Sequence, residues 1–168
     1  MKTVRICPSP AIAASIRPPG SKSITNRAII CAALASGRSR LSGVLASEDT
    51  HLMIQAWQQL GLSIDYDQQS HQLVINGCQG QLPVTTADIH VGNSGTTIRF
   101  LTAALSACRG SFTLDGVPRM RQRPIGDLLT ALAQLGGQAK SLNGENPDCP
   151  PVLIQSSGRS GGRALVAG

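Results

Sequence analysis

Apolar residues in the first part of the chain recur at spacings that predict two short strands and a buried helix. Thr3–Cys7 and the residues just before Pro18 are predicted as strands joined by a proline-containing turn. Thr25–Ala35 is apolar on nearly all sides, which predicts a helix buried on most of its faces, and Gly37 ends it. Ser39–Val44 is predicted as a further strand.

The next segment carries the signals of a capped amphipathic helix and a β-hairpin. Ser47 is followed by two acidic residues, which complement a helix dipole, and Gly61 closes the helix. Leu62–Tyr66 and Gln72–Ile75 alternate apolar with polar residues, which predicts two paired strands. The apolar residues at helical spacing are Leu52, Met53, Ala56, Trp57 and Leu60.

The same order of elements then recurs 72 to 75 residues later, which indicates a tandem duplication. A second buried helix is predicted over Phe100–Ala107 and a second amphipathic helix over Pro124–Leu135, with strands near Gln138–Leu142 and Val152–Gln155. Each copy is predicted to run strand–helix–strand–helix–strand–strand. The matching landmarks are Gly20 through Arg27 with Gly92 through Arg99, Leu41–Val44 with Leu114–Val117, and Leu60-Gly61 with Leu135-Gly136.

One more period from Gly92 reaches residues 164–167, next to the final Gly168. The chain is therefore expected to stop where the glycine turn of a third copy would begin. On this interpretation the polypeptide is a fragment of a longer protein.

The turn before the first buried helix has the features of an anion site. Pro18 and Pro19 stiffen the approach, and Gly20 lets the backbone come close to a ligand. Lys22 and Arg27 add two cations to the positive end of the helix, which suits a phosphate or carboxylate. The alternative is a well-capped helix with solvated cations, and the spacing does not fit a Walker A loop. Candidate caps are Ser21, Ser23, Thr25 and Asn26.

Composition favours small anionic ligands over nucleic acid. The net charge is +6, and arginine outnumbers lysine by 12 to 3, which suits bidentate binding of carboxylates and phosphates. Aromatic residues make up only 2% of the chain, so stacking platforms for single-stranded nucleic acid are scarce. Most arginines are isolated, apart from a cluster at Arg119, Arg121 and Arg123.

The cysteines and histidines indicate a reducing compartment and no metal site. Five cysteines form no Cys-x-x-Cys pair, so a cytoplasmic location is expected. The three histidines lack metal-ligand spacing, and no metal or cofactor is expected. The longest apolar run, Ala28–Ala35, is too short to span a membrane.

Three strings stand out: Pro19 through Ala28 (PGSKSITNRA), Gly92 through Arg99 (GNSGTTIR) and Arg119 through Gly126 (RMRQRPIG). Together they resemble the 5-enolpyruvylshikimate-3-phosphate (EPSP) synthase family. The resemblance covers essentially the whole chain, and the strings occur in the order and spacing of the family. It implies an inverse α/β fold of six βαβαββ units, three in each of two domains. The strand region 1–13 would belong with the other domain, 14–90 and 91–168 would form two units, and the third unit and second domain would be absent.

The resemblance also implies a reaction and its ligands. In the family, the 5-hydroxyl of shikimate 3-phosphate attacks C2 of phosphoenolpyruvate, and the tetrahedral intermediate loses phosphate. Lys22 and Arg123 would contact phosphoenolpyruvate, and Ser23 and Arg27 the shikimate carboxylate. Gly95 and Thr96 would line the phosphoenolpyruvate pocket through backbone atoms, with Asn93 adjacent. Glycine at position 95 leaves room for the inhibitor glyphosate, which implies a sensitive type of pocket.

The proton-transferring groups of the family belong to the missing part of the enzyme, which is the expected partner of this chain. No catalytic residue is expected in this fragment, and no turnover is expected from it alone. For four residues the alternatives stay open. Arg99 is either a ligand or a structural helix-end residue, and Asp49 is either functional or a helix cap. Arg119 and Arg121 are either ligands or solvated side chains.

Two other functions compete with this interpretation. The related UDP-N-acetylglucosamine enolpyruvyl transferases share the fold and chemistry, although the Gly-Ser-Lys-Ser and Arg-Pro-Ile-Gly strings favour the shikimate enzyme. A non-enzymatic anion-binding half-domain is the second alternative. Nucleic-acid and membrane partners are not expected.

Overall fold

The computed structural model describes residues 3–5, 7–8, 10–158 and 161–166. These residues form four α-helices, a short 3₁₀ turn and seven strands. The helices are α1 Lys22–Leu34, α2 Glu48–Gln59, α3 Gly95–Leu105 and α4 Gly126–Gln134, and the 3₁₀ turn is Met120–Gln122. The strands are β1 Ser36–Ser42, β2 Ile64–Asp67, β3 Gln72–Cys78, β4 Thr86–His90, β5 Arg109–Asp115, β6 Gln138–Ser141 and β7 Val152–Ser157.

The strands form two sheets whose strand orders repeat. The first sheet has the order β1-β3-β2 and the second the order β4-β5-β7-β6. In each, the strand before an amphipathic helix pairs antiparallel with the last strand of a hairpin, as β1 does with β3 and β5 with β7. The second sheet adds β4, which runs parallel to β5. Strand β4 ends before residue 91 but pairs with β5 in the second sheet. Along the chain, the change from the first sheet to the second therefore comes before residue 91. The division into two units at residue 90 stays a prediction.

The two strands predicted at the start of the chain are not formed by the described residues. Of Thr3–Cys7, Ile6 lies outside the described residues and the rest is not strand, and no strand precedes Pro18. The first copy of the repeat lacks a backbone hydrogen bond that the second copy has. In the second copy, the Val91 N–H donates to the Asp115 carbonyl at 2.7 Å. The residue 72 positions earlier is Pro19, which has no N–H to donate.

Three helices begin at different residues from those predicted. Helix α3 starts at Gly95 rather than Phe100, because the Ser94 hydroxyl accepts from the Thr97 N–H and caps it. Helix α1 starts at Lys22 rather than Thr25, because the Ser21 hydroxyl accepts from the Ile24 N–H at 3.4 Å and caps it. Helix α4 starts at Gly126 rather than Pro124. The Arg123 backbone is extended, as expected before a proline, and the Ile125 N–H donates to the Asp148 carbonyl at 2.7 Å.

A single apolar core joins both sheets to the helices, with Trp57 and Phe112 fully buried in it. The first buried helix is less enclosed than predicted. Thr25, Asn26, Ile29, Ala32 and Ala33 are buried, but Ile24 is 70% exposed and Cys31 is exposed. An apolar face of α1 therefore remains uncovered by the described residues, since neither sheet reaches that side of the helix.

We expect Gly20→Ala to lower the free energy of unfolding by at least about 2 kcal/mol. A Cβ at this position would overlap the Gly43 carbonyl oxygen and lie 3.0 Å from the Leu45 nitrogen, and these backbone atoms cannot move aside independently. Urea unfolding measures the effect, with Gly144→Ala as the matched control because a Cβ there meets nothing within 4 Å. Equal stabilities of the two variants would contradict the close approach.

Candidate functional site

The first turns of three helices meet at one place on the molecule. Lys22 begins α1 and forms an ion pair with Asp49 in the first turn of α2, with 2.6 Å between Nζ and Oδ2. The hydroxyl of Thr97, in the first turn of α3, donates to the backbone carbonyl of Asp49 at 3.3 Å. Because the N-terminal end of each helix carries a partial positive charge, this junction suits an anionic ligand.

Each of the three helices is capped by a serine that immediately precedes it. Ser21 caps α1, Ser47 caps α2 in a capping box with Thr50, and Ser94 caps α3 by accepting from the Thr97 N–H at 3.2 Å. Side-chain caps satisfy some of the free N–H groups of a first turn and fix where the helix begins. Local sequence therefore sets the positions of Lys22 and Gly95 within their helices.

Asp49 lies between two cations, and they determine its protonation. Burial by itself would raise the pKa of the Asp49 carboxyl. Hydrogen bonds from Lys22 and Ser94, together with the charges of Lys22 and Arg123, outweigh it and hold the pKa below the ordinary 3.8. Asp49 is therefore ionised at neutral pH, where it pairs with Lys22 on α1 and feels the positive charge of Arg123 in the segment before α4.

We expect the contribution of Asp49 to stability to be present at neutral pH and lost in acid. Its folded-state pKa is lower than its unfolded-state pKa, so the unfolded chain binds more protons as the pH falls past 3.8. Urea unfolding of the original chain and of Asp49→Asn across about pH 3 to 7 measures the difference. That difference should be constant near neutrality and shrink below 3.8. A difference independent of pH would contradict the ion pair.

Arg123 packs directly against Gly95. Its guanidinium occupies the space next to the glycine, where a Cβ built on residue 95 would lie 2.7 to 2.9 Å from the guanidinium atoms. Its Nη1 also donates to the Asn93 carbonyl at 3.0 Å. Glycine at position 95 is thus required for this approach, and the backbone of residues 93–95 and Arg123 form one wall of the junction.

Arg27 lies one turn along α1 from Lys22, beside α3. Its Nη1 donates to the Ser23 carbonyl at 3.1 Å, and its guanidinium carbon lies 5.5 Å from the ring centroid of Phe100. A cation over an aromatic face is attracted by the ring, which here connects the two helices. The Ser23 side chain is exposed and Thr96 is half-buried, and the described residues give neither hydroxyl a hydrogen-bond partner.

The structure thus brings together Lys22, Asn93, Gly95 and Arg123 and places Arg27 on the adjoining helix. Sequence reasoning left Asp49 open as a helix cap, but Ser47 is the cap and Asp49 is the partner of Lys22. An acid in a first turn is too common a signal to have identified this role. Arg121, for which a solvated side chain was one alternative, instead forms two hydrogen bonds within an ion pair with Asp115.

The remaining features concern metals, cysteines and membranes. Over the described ranges, no cluster of three or more His, Cys, Asp or Glu side chains could hold a metal ion. All five cysteines are free thiols, and burial raises the pKa of Cys108 to about 11. No helix in the described part of the chain is long and apolar enough to cross a membrane.

Fold and site together define a mixed α/β protein of repeated units in which helix N-termini and cations form a candidate anion site. The family model "EPSP synthase (3-phosphoshikimate 1-carboxyvinyltransferase)" matches residues 6–167, and the chain belongs to this family. The predicted family is therefore confirmed, although the roles of individual site residues stay predictions.

Relatives from plants and bacteria agree with the family match. The chain is 41% identical over 165 residues to the chloroplastic 3-phosphoshikimate 1-carboxyvinyltransferase 1 of Nicotiana tabacum. The aligned region covers 94% of this chain and 32% of the relative. Identity to the Janthinobacterium enzyme is 47% over 140 residues, covering 83% of this chain and 31% of that enzyme. The Shewanella loihica enzyme is 40% identical over 169 residues, covering 100% of this chain and 39% of that enzyme.

A solved structure confirms the predicted fold class. EPSP synthase from Acinetobacter baumannii superposes with a TM-score of 0.76 at 29% identity, covering 83% of this chain and 31% of that structure. Like the sequence comparisons, this match extends over only part of the other protein. The chain spans about a third of the length of the curated relatives it matches.

Proposed function

We propose that this chain forms one side of the active site of an enzyme that transfers an enolpyruvyl group from phosphoenolpyruvate to the 5-hydroxyl of shikimate 3-phosphate. The observation that carries the proposal is the convergence of Lys22, Gly95 and Arg123 at the helix junction. Family membership supports it, since the relatives are named for carboxyvinyl transfer to 3-phosphoshikimate.

Lys22 and Arg123 bind phosphoenolpyruvate in this proposal. The substrate carries a phosphate and a carboxylate, and two cations next to the N-terminus of α3 match that charge. When the shikimate hydroxyl gives up its proton, its oxygen attacks C2 and a proton adds to C3, a tetrahedral intermediate forms. Phosphate then leaves with the C2–O bond electrons and a proton leaves C3, so cations held at the phosphate stabilise the developing charge.

Ser23 and Arg27 bind the carboxylate of shikimate 3-phosphate. The Arg27 guanidinium is anchored by the Ser23 carbonyl and lies over Phe100, which orients it without using all of its N–H groups. The remaining N–H groups are suited to a carboxylate, and the exposed Ser23 hydroxyl lies four residues earlier, one turn away on the same face. Backbone atoms of Gly95 and Thr96, next to Asn93, complete the phosphoenolpyruvate side.

The groups that transfer protons come from the rest of the enzyme, the partner that this chain requires. Glyphosate occupies the space beside Gly95, so the whole protein is of the sensitive type. The five free thiols support a cytoplasmic location.

Titration of the ¹⁵N-labelled 168-residue chain tests the proposal. Phosphoenolpyruvate and shikimate 3-phosphate should shift the amide signals of Lys22 and Gly95 in a saturable way, and UDP-N-acetylglucosamine should not. The isolated chain should show no transfer of the enolpyruvyl group. Saturable binding of the UDP-sugar alone would overturn the shikimate assignment, and turnover by the isolated chain would overturn the assignment of proton transfer to the missing part.

A further inference from the structure

Arg99 joins the two backbone segments that carry Gly95 and Arg123. Its Nη1 donates to the Gly95 carbonyl at 3.1 Å, and its Nη2 donates to the Pro124 carbonyl at 2.7 Å. The first bond lies within α3, whereas the second spans 25 residues to the segment that enters α4. One planar guanidinium thus holds the first turn of α3 against the residue that follows Arg123.

The two carbonyls that Arg99 binds lie next to the contact that builds the site. Arg123 reaches the same place from the other side, with its guanidinium against Gly95 and its Nη1 on the Asn93 carbonyl. The Arg99 bridge adds a direct link between the Gly95 and Pro124 backbones to the side-chain contacts that Arg123 itself makes there. We propose that Arg99 is a positioning residue, which sets the Arg123 guanidinium against Gly95 for binding the phosphate or carboxylate of phosphoenolpyruvate.

The first copy of the repeat shows that this bridge is more than a helix-end contact. Arg27, which lies 72 residues before Arg99, also donates from Nη1 to the carbonyl four residues earlier, that of Ser23, at 3.1 Å. Its guanidinium then lies over Phe100 and forms no second carbonyl bond among the described residues. The bond within the helix is common to both copies, and the bond to Pro124 belongs to Arg99 alone.

Arginine is the side chain that this geometry requires. Its rigid fork presents two N–H groups in one plane, so it binds two carbonyls at a set separation. Lysine at position 99 has a single flexible ammonium that satisfies one carbonyl at a time. Arg99→Lys should therefore keep the positive charge but lose the bridge, which separates positioning from simple electrostatic attraction.

The first experiment follows Arg123 itself in the ligand-free 168-residue chain. In Arg99→Met and Arg99→Lys the ¹⁵N–¹H signal of the Arg123 Nε–H group should shift and exchange faster with water. Arg38→Met is the matched control, because Arg38 is exposed on β1 and its side chain forms no hydrogen bond or ion pair among the described residues. An unchanged Arg123 signal in both Arg99 variants would overturn the proposal.

The second experiment rests on the proposed function and uses phosphoenolpyruvate affinity. We expect Arg99→Met to weaken binding about 10-fold or more, since a small misplacement of a binding group is costly. In an Arg123→Met background the same change should have no further effect, whereas independent effects that multiply would overturn the positioning role. If the original chain binds no phosphoenolpyruvate while the Arg123 signal still responds to Arg99, the proposed function fails and the positioning role stands.

Discussion

Lys22→Met is expected to weaken phosphoenolpyruvate binding by about 100-fold, equivalent to about 2.7 kcal/mol. A charge-assisted hydrogen bond to the ligand is lost, which accounts for about 1.5 to 3 kcal/mol. In addition, Asp49 loses the partner that lies 2.6 Å away and presents an unpaired carboxylate to an anionic ligand. Isothermal titration calorimetry or the amide-shift titration measures the affinity.

Two further variants make this prediction specific. Lys140→Met is the matched control, because Lys140 is exposed on β6 and its side chain forms no hydrogen bond or ion pair among the described residues. Lys22→Met with Asp49→Asn removes both charges of the pair, so it should bind phosphoenolpyruvate more tightly than Lys22→Met alone. If the double variant binds no better, the repulsion from Asp49 has no part in the loss.

Gly95→Ala is expected to weaken phosphoenolpyruvate binding about 10-fold while leaving the fold intact. The new Cβ would lie 2.7 to 2.9 Å from the Arg123 guanidinium, which must move away. Because the guanidinium is the end of a flexible side chain, the displacement costs little stability but removes the cation from its place at the Asn93 carbonyl. Glyphosate should lose more affinity than phosphoenolpyruvate if it uses the space beside Gly95.

The measurement pairs ligand affinity with thermal unfolding. Gly144→Ala is the control, since a Cβ there meets nothing within 4 Å and the residue lies outside the site. Gly95→Ala should match this control in melting temperature and differ from it in affinity. A variant that binds both anions as tightly as the original chain would show that Arg123 is not a ligand at this position.

The sequence predicted most of the helices and strands because their signals are local. Ser47 caps α2 through a bond to the N–H three residues later, and Ser94 caps α3 in the same way. Such contacts depend on a few neighbouring residues, so the pattern of caps, glycines and apolar positions predicts that these helices exist, although the predicted first residues of α1, α3 and α4 were wrong. The strands predicted before Pro18 failed because a strand also needs a hydrogen-bonded neighbour, which local pattern does not supply.

The sequence predicted which residues belong to the candidate site, but it did not predict how those residues contact one another. Lys22 was identified as an anion-binding candidate from the turn before the first buried helix, whereas the roles of Gly95 and Arg123 were identified through resemblance to a family. Their contacts join residues far apart in the chain, as the 30-residue separation between Asn93 and Arg123 shows. The partnership of Asp49 with Lys22 and the second bond of Arg99 have no local signal, because an acid in a first turn or an arginine inside a helix has several possible partners.

The sequence by itself determined the repeated order of elements, the capped helices with cations near their N-terminal ends, and the family. Only the tertiary structure decided that Asp49 lies between two of those cations and that Arg99 ties Gly95 to Pro124. The physical reason is that caps and helical periodicity act over three or four residues, whereas the charge and position of a binding group depend on which distant segments pack beside it.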